Sequence, residues 1–163
     1  MGFTHFDENG RPRMVDVGEK PDTKREAAAR GRVYVSEPIM ERITKGMIKK
    51  GDVPTIAELA GIMGAKKTSD WIPLCHPLPL TKVEVKVYPL PEKGYLEILA
   101  QVACTGKTGV EMEALTAVSA AALTVYDMCK AIDKSMVIGD ICLLKKSGGK
   151  SGCYERDMEC IEK

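Results

Sequence analysis

The feature that most constrains the fold is one long helical pattern over residues 105–132. Its apolar positions recur at helical spacing and predict a single buried stripe. These positions are Leu115, Val118, Ala122, Val125, Cys129 and Ile132. The adjoining side holds only small residues, at Ala117, Ala120, Ala121 and Thr124, so a second backbone can lie close against it. Thr108 and Glu111 have the spacing of a capping box and predict a helix start after Thr108.

Two carboxylates lie near opposite ends of this predicted helix. Glu113 and Asp127 are fourteen positions apart, almost four turns, so they face the same way. They lie roughly 21 Å apart along the axis, too far to act on one bond. One interpretation is structural: Glu113 interacts with the helix dipole, and Asp127 pairs with Lys130 in solvent. In the other, two copies of the chain bring the two ends into one pocket.

Composition excludes several classes of protein. The 163 residues, 44% hydrophobic and 29% charged, suit one globular domain. A net charge of +1 gives no general attraction to nucleic acid or membranes, so an anion site requires a local lysine cluster. Six cysteines without C-x-x-C spacing, with only two histidines, argue against zinc and for reduced thiols. We expect a cytoplasmic protein without a signal sequence or a membrane span.

The order of predicted elements indicates the fold. Strands are predicted at 32–36, 82–88, 95–103 and 136–144, with helices at 38–48 and 54–67 before the long helix. Ile56, Leu59, Ala60 and Met63 form the apolar face of the helix at 54–67. This order predicts an α+β, ferredoxin-like (split βαβ) fold, an antiparallel sheet with helices on one face. We divide the chain into a polar N-terminal arm (1–31), one domain (32–152) and a C-terminal tail (153–163).

The segment IPLCHPLPL, residues 72–80, contains three prolines. Proline at this density excludes a helix or a central strand, so the segment is predicted to be stiff and extended. Pro77 also restricts the backbone of His76 to extended geometry. His76 is therefore either a structural histidine or an imidazole that the segment presents to a ligand.

The segment KKSGGKSG, residues 145–152, is the clearest local signal for anion binding, because it combines three lysines with exposed glycine amides. The alternative is a flexible, solvated strand end. Neither GKS here nor GKT at 106–108 completes a P-loop, because Leu144 and Gln101 occupy the positions of the first glycine. We therefore exclude a Walker-type NTPase. For Arg25, Lys66 and Lys67, local sequence favours solvated charges or interaction with a helix end.

Together, IPLCHPL, TGKTGVEMEALTAVSAAALT, YDMCKA and KSGGKSG make residues 14–152 resemble the MoaC family, the cyclic pyranopterin monophosphate synthases of molybdenum cofactor biosynthesis. No motif position is substituted. The resemblance implies a cytoplasmic lyase with a ferredoxin-like fold. It also implies a homohexamer, a trimer of dimers, with each site at a dimer interface. The implied reaction converts (8S)-3',8-cyclo-7,8-dihydroguanosine 5'-triphosphate to cyclic pyranopterin monophosphate and pyrophosphate.

The resemblance also assigns roles to residues. The implied catalytic residues are Asp127, Lys130, Lys50 and His76. The implied substrate contacts are Leu74, Cys75, His76, Met112, Glu113, Lys66, Lys67, Lys146, Lys150 and Arg25. No metal ligand and no cofactor is implied, although Mg²⁺ can accompany a triphosphate.

Two other functions are considered. A non-catalytic nucleotide- or phosphate-binding subunit on the same fold would need the lysines but not Asp127. An RNA-binding ferredoxin-like domain is disfavoured, because the strands at 82–88 and 95–103 lack the paired exposed aromatic residues that stack on bases.

Overall fold

The fold is taken from a computed structural model, which describes residues 7–157. The outer parts of the predicted N-terminal arm and C-terminal tail, residues 1–6 and 158–163, lie outside the described residues.

The described chain forms one antiparallel sheet with helices packed on it. The strands are β1 (Thr23–Tyr34), β2 (Leu80–Leu90), β3 (Tyr95–Gly106), β4 (Val137–Ser147) and β5 (Tyr154–Glu155). The helices are α1 (Glu37–Thr44), α2 (Val53–Lys66), α3 (Thr68–Trp71) and α4 (Glu111–Cys129). Strand order is β2-β3-β1-β4-β5, and every pair is antiparallel. The first four strands have the ferredoxin-like order, which confirms the predicted α+β fold.

The core lies between the sheet and the two long helices, α2 and α4. Strand alternation turns Ala29 and Val33 of β1 and Leu96 of β3 toward the helices, all of them fully buried. Val118 and Val125 of α4 pack against them from the predicted apolar stripe. Burying this stripe fixes the rotation of α4 on the sheet and hence the directions of its polar side chains.

The small side of α4 packs against α2. A Cβ at Gly61 would lie 2.9 Å from the carbonyl oxygen of Ala117, and one at Gly64 would lie 2.5 Å from Cβ of Ala120. These distances leave no room for a side chain on α2 at either position. The second backbone predicted against the small side of the long helix is therefore α2.

The sheet extends beyond the predicted strands in two places. β1 begins at Thr23 instead of residue 32, so the last part of the predicted arm is a strand between β3 and β4. Arg25 and Arg30 give this segment a polar sequence, yet both side chains are buried, Arg30 to 3% exposure. At the other end, β5 pairs with Lys145 and Lys146, so part of the predicted tail joins the sheet.

Two predictions about helices are also wrong. Leu59 and Met63 of α2 are more than half exposed, whereas Val53, Ala57 and Gly61 are buried. The small residues permit a closer approach to α4 than the large ones would, so the large apolar side chains face outward.

The predicted capping box of α4 does not form. The helix begins at Glu111 with Val110 as its N-cap, and no side chain caps it. The Glu111 carboxylate instead lies over Gly109, in space that a Cβ at that position would need.

Candidate functional site

The N-terminal end of α4 forms one wall of a cavity of about 390 Å³, here called the His76 pocket. The segment at 72–80 forms the facing wall, so residues from two predicted motifs meet. The described lining includes Leu74, Cys75, His76, Met112 and Glu113. Val15 and Val17, from the chain before β1, close a third side.

Glu113 is the buried acid of this pocket. The residue is 4% exposed, lies in the first turn of α4 and shares the pocket lining with Leu74, Cys75 and His76 of the 72–80 segment. Burial raises its pKa from 4.5 to about 7, and the nearby negative charge of Glu111 acts in the same direction. Glu113 can therefore both give and take a proton near neutral pH.

A second cavity, of about 580 Å³ and here called the lysine pocket, lies beside the first. Its cations come from four segments of the chain: they are Lys20, Arg25, Lys107, Lys146 and Lys150. The two cavities share Lys20, Thr108, Gly109 and Glu111 in their linings, so they are continuous. A ligand spanning both would meet cations at one end and titratable groups at the other.

Arg25 supports the glycine loop of the lysine pocket. The residue is 8% exposed, and its guanidinium donates from Nε to the Gly106 carbonyl (3.3 Å) and from Nη2 to the Lys107 carbonyl (3.2 Å). Gly148 and Gly149 have φ of 99° and 72° and lie against this guanidinium. A Cβ at Gly149 would collide with Arg25, so the loop requires glycine there on grounds of both space and conformation.

The other candidate catalytic group lies at the opposite end of α4. Lys130 Nζ is 2.7 Å from Asp127 Oδ1, and Lys50 Nζ is 3.0 Å from Oδ2. Lys50 also donates to the Asp127 carbonyl (2.8 Å). Hydrogen bonds from Lys130 and then Lys50 lower the pKa of Asp127 to about 2. The carboxylate is therefore ionised at any physiological pH.

The candidate residues fall into separate places within one protomer. Arg25, Lys146 and Lys150 join the His76 pocket residues at one end of α4, whereas Asp127, Lys130 and Lys50 are at the other. The helix has 19 residues and is about 28 Å long. Lys66 lines a groove that meets the His76 pocket at Leu78, and Lys67 pairs with Asp70 (3.4 Å).

Comparison with known proteins shows which family the chain belongs to. A sequence model of the MoaC family matches residues 14–149. The chain belongs to the MoaC family. It is 56% identical to the cyclic pyranopterin monophosphate synthase of Thermoanaerobacter pseudethanolicus over 158 residues, covering 97% of this chain and all of that protein. It is 61% identical to the protein of the same name from Heliobacterium modesticaldum, covering 95% of this chain and 98% of that protein. It is 59% identical to the protein of that name from Desulfitobacterium hafniense, covering 96% of this chain and 96% of that protein.

The lining residues of this MoaC family member's cavities that were not predicted from the sequence include Val15, Val17, Lys20 and Lys107. Lys107 had a usable signal, since it lies between Gly106 and Thr108 at the entry to the long helix. The other three precede β1 in a polar stretch without periodicity. Only the folded chain brings them to the site.

Within residues 7–157, no three His, Cys, Asp or Glu side chains are grouped closely enough to hold a metal ion. Among the helices of the described chain, none has the length and hydrophobicity needed to cross a membrane.

Proposed function

We propose that this chain is a cyclic pyranopterin monophosphate synthase that acts in the cytoplasm in molybdenum cofactor biosynthesis. It would convert (8S)-3',8-cyclo-7,8-dihydroguanosine 5'-triphosphate to cyclic pyranopterin monophosphate and release pyrophosphate. Relatives carrying that name are 56–61% identical over nearly the whole chain. One observation carries the proposal: a pocket of five cations opens directly into a pocket holding Glu113 and His76. Such a cavity suits a triphosphate joined to a base that must be rearranged.

The lysine pocket would hold the triphosphate. Lys146 and Lys150 supply ammonium groups, and the loop at Gly148 and Gly149 supplies backbone N–H groups. Negative charge develops on the leaving pyrophosphate, and cations already in place lower that barrier. The proposal includes no resident cofactor or metal, and Mg²⁺ arriving with a triphosphate would be held largely through the phosphates.

The His76 pocket would hold the base. Leu74, Cys75 and Met112 would pack against it, and Glu113 and His76 would contact its polar edge. Because the pKa of Glu113 is about 7, this acid can donate a proton to the base or accept one from it. Lys66, in the adjoining groove, and Lys67 would complete the set of substrate contacts.

Asp127 would be the catalytic base, because it stays ionised between two lysines. Lys130 and Lys50 would donate protons and stabilise developing negative charge. This chemistry requires Asp127 to meet the substrate, and one protomer keeps it a helix length away from the His76 pocket. We therefore place each site between two copies of the chain.

A two-fold axis near Ala120 would achieve this. Glu113 lies seven residues before Ala120, and Asp127 lies seven after it. An antiparallel pair of α4 helices would therefore bring Glu113 of one copy close to Asp127 of the other. The outer face of α2 and α4 carries an exposed apolar groove suited to such a pairing. Its large side chains include Leu59, Met63, Trp71 and Leu123. Three such dimers would form the homohexamer implied by the family resemblance.

The test is release of pyrophosphate from the cyclised substrate by purified protein. Asp127→Asn keeps the shape of the side chain and removes the base, so folding and assembly should persist while turnover is lost. Glu92→Gln, an exposed carboxylate in the turn between β2 and β3, is the matched control and should turn over normally. Full activity of Asp127→Asn would remove Asp127 from the mechanism. Tight substrate binding by a wild type that never releases pyrophosphate would instead favour the non-catalytic phosphate-binding subunit.

A further inference from the structure

The chain before β1 passes along both pockets. Residues 15–20, here called the strap, place Val15 and Val17 half-buried in the His76 pocket, while the alternate residues Asp16 and Gly18 are exposed. Lys20, at the end of the strap, lines both the His76 pocket and the lysine pocket. No strap residue belongs to the hydrophobic core of the described chain. The strap is thus held by its contacts at the pockets.

Two polar contacts fasten the strap to the site. Val15 offers its carbonyl oxygen to Nε2 of His76 at 2.9 Å. Lys107 donates from Nζ to the Gly18 carbonyl at 2.5 Å. Between these two contacts, Asp16 Oδ1 accepts the Gly18 N–H at 2.8 Å. The resulting turn fixes the positions of the two carbonyls relative to each other.

The first contact determines the protonation pattern of His76. A carbonyl oxygen can only accept, so Nε2 of the imidazole must carry the proton. In the neutral ring the lone pair is then on Nδ1. Across residues 7–157, Nδ1 has no hydrogen-bond partner, and it is not among the buried unsatisfied atoms. The ring therefore presents an open acceptor in a pocket that it lines.

The second contact ties the strap to the phosphate end. An ammonium group has three N–H donors. Lys107 can therefore keep the Gly18 carbonyl while turning another donor into the lysine pocket. A phosphate bound there would order the Lys107 side chain and, through it, the strap over His76.

We propose that the strap is part of the substrate site. Its Val15 carbonyl fixes His76 as the Nε2–H tautomer, which leaves Nδ1 free to accept a hydrogen bond from the substrate. Lys107 is the positioning residue that holds the strap in place. This inference rests on the proposed function for its kinetic consequence only. The state of His76 can be measured in the absence of any reaction.

The tautomer is tested by ¹⁵N NMR of the neutral imidazole, in which only one ring nitrogen carries a proton. The chain has two histidines, so His5→Ala leaves His76 as the sole reporter. We expect one tautomer, Nε2–H, with a proton that exchanges slowly with water. Adding Lys107→Met or Asp16→Ala should release the strap, speed this exchange at least tenfold and mix the tautomers. Lys93→Met, an exposed lysine in the turn after β2, should change nothing.

Kinetics test whether the strap belongs to the site. Lys107→Met and Asp16→Ala should raise KM roughly tenfold to a hundredfold, the effect of losing one charge-assisted hydrogen bond. Adding inorganic triphosphate should slow the exchange further in the parent but not in Lys107→Met. An unchanged NMR signal in both strap variants would overturn the proposal. So would wild-type kinetics in a variant whose strap the NMR shows to be released.

The two proposals fail in different ways. If the wild type releases no pyrophosphate but its His76 signal responds to triphosphate as described, the proposed reaction is wrong and the strap proposal stands. If pyrophosphate is released normally while His76 exchanges freely in the parent protein, the reaction stands and the strap proposal is wrong.

Discussion

Two carboxylates on one helix have their pKa values shifted in opposite directions. Glu113 is buried in the lining of the His76 pocket, and its pKa is raised to about 7. Asp127 lies at the surface between Lys130 and Lys50, and its pKa is lowered to about 2. Such a separation is typical of sites that need one acid and one base at the same pH. The two environments therefore support different roles for chemically similar side chains.

The raised pKa of Glu113 makes a prediction about stability. Below pH 4.5 the carboxyl is protonated in both the folded and the unfolded chain, so the folded state has no charge to bury. As pH rises from 4.5 to 7 the unfolded chain ionises first and is stabilised relative to the folded one. Against Glu113→Gln, the free energy of unfolding of the wild type should fall by about 3 kcal/mol between pH 4.5 and 7. Urea titrations of both proteins across this range measure it, and parallel pH profiles would contradict it.

The same group makes a prediction about activity. If the protonated form of Glu113 donates to the substrate, turnover should decline as pH rises through about 7. Glu113→Gln keeps a hydrogen-bond donor but can neither titrate nor transfer a proton, so its pH profile should lack this decline even if its turnover is lower. The measurement is kcat/KM from pH 5.5 to 9. If kcat/KM of Glu113→Gln declines with the same midpoint, the titrating group is a different residue.

Residue by residue, the sequence predicts the candidate site unevenly. His76, Glu113, Lys146 and Lys150 each lie in a motif with its own physical signal, such as a proline-rich segment, a long helix or a glycine-lysine loop. Lys20 has no such signal, because its position at the cavity depends on the strap crossing both pockets. Contacts of that kind are set by the whole fold and are absent from any local pattern.

Among the elements, the closest packing is between α2 and α4. Gly64→Ala would place a Cβ 2.5 Å from Cβ of Ala120, so the helices must separate or their residues must shift. We expect a loss of about 1–3 kcal/mol in the free energy of unfolding. Gly139→Ala is the control, since its Cβ would meet Tyr34 at an ordinary 3.7 Å and should change stability by less than about 0.5 kcal/mol. Equal effects of the two substitutions on a denaturation midpoint would contradict this account.

The glycine loop makes another prediction at this scale. Arg25 uses Nε and Nη2 on two different carbonyls, which a lysine cannot reproduce. Arg25→Lys should therefore loosen the loop at Gly148 and Gly149 and raise KM about tenfold, with a smaller effect on kcat. Arg42→Lys, on the last turn of α1, is the control and should have normal kinetics. A loss confined to kcat would instead point to a direct role of Arg25 in the chemistry.

Elements with a strong hydrophobic periodicity were predicted best from the sequence. The stripe on α4 and the alternation in β2 each place one face in the core, as Val118 and Val85 show. The start of β1 was missed because an internal strand that buries Arg25 and Arg30 lacks an apolar sequence. The buried face of α2 was missed because close helix contact selected glycine and alanine over larger apolar residues.

For the whole molecule, the exposed face of α2 and α4 is the feature that one protomer leaves unexplained. Leu59 and Leu123 are 59% and 55% exposed beside Met63 and Trp71. Patches of this kind usually mark an interface. Leu123→Glu should therefore shift the protein toward smaller species in sedimentation while its circular dichroism is preserved. Leu90→Glu, away from this face at the end of β2, is the control, and assembly unaffected by Leu123→Glu would exclude this face as the dimer contact.

The strongest test of a shared site mixes two inactive variants. Asp127→Asn disables the C-terminal end of α4, and Lys146→Met disables the lysine pocket at the other end. In a dimer that contains one of each, an antiparallel pairing puts both defects in one site and leaves the second site intact. Random reassembly makes half of the dimers mixed, so about a quarter of wild-type pyrophosphate release should return. Each variant alone, taken through the same dissociation and reassembly, is the control and should stay inactive. If each site lay within one protomer, no mixture could regain activity, because every chain would carry a defect in its own site.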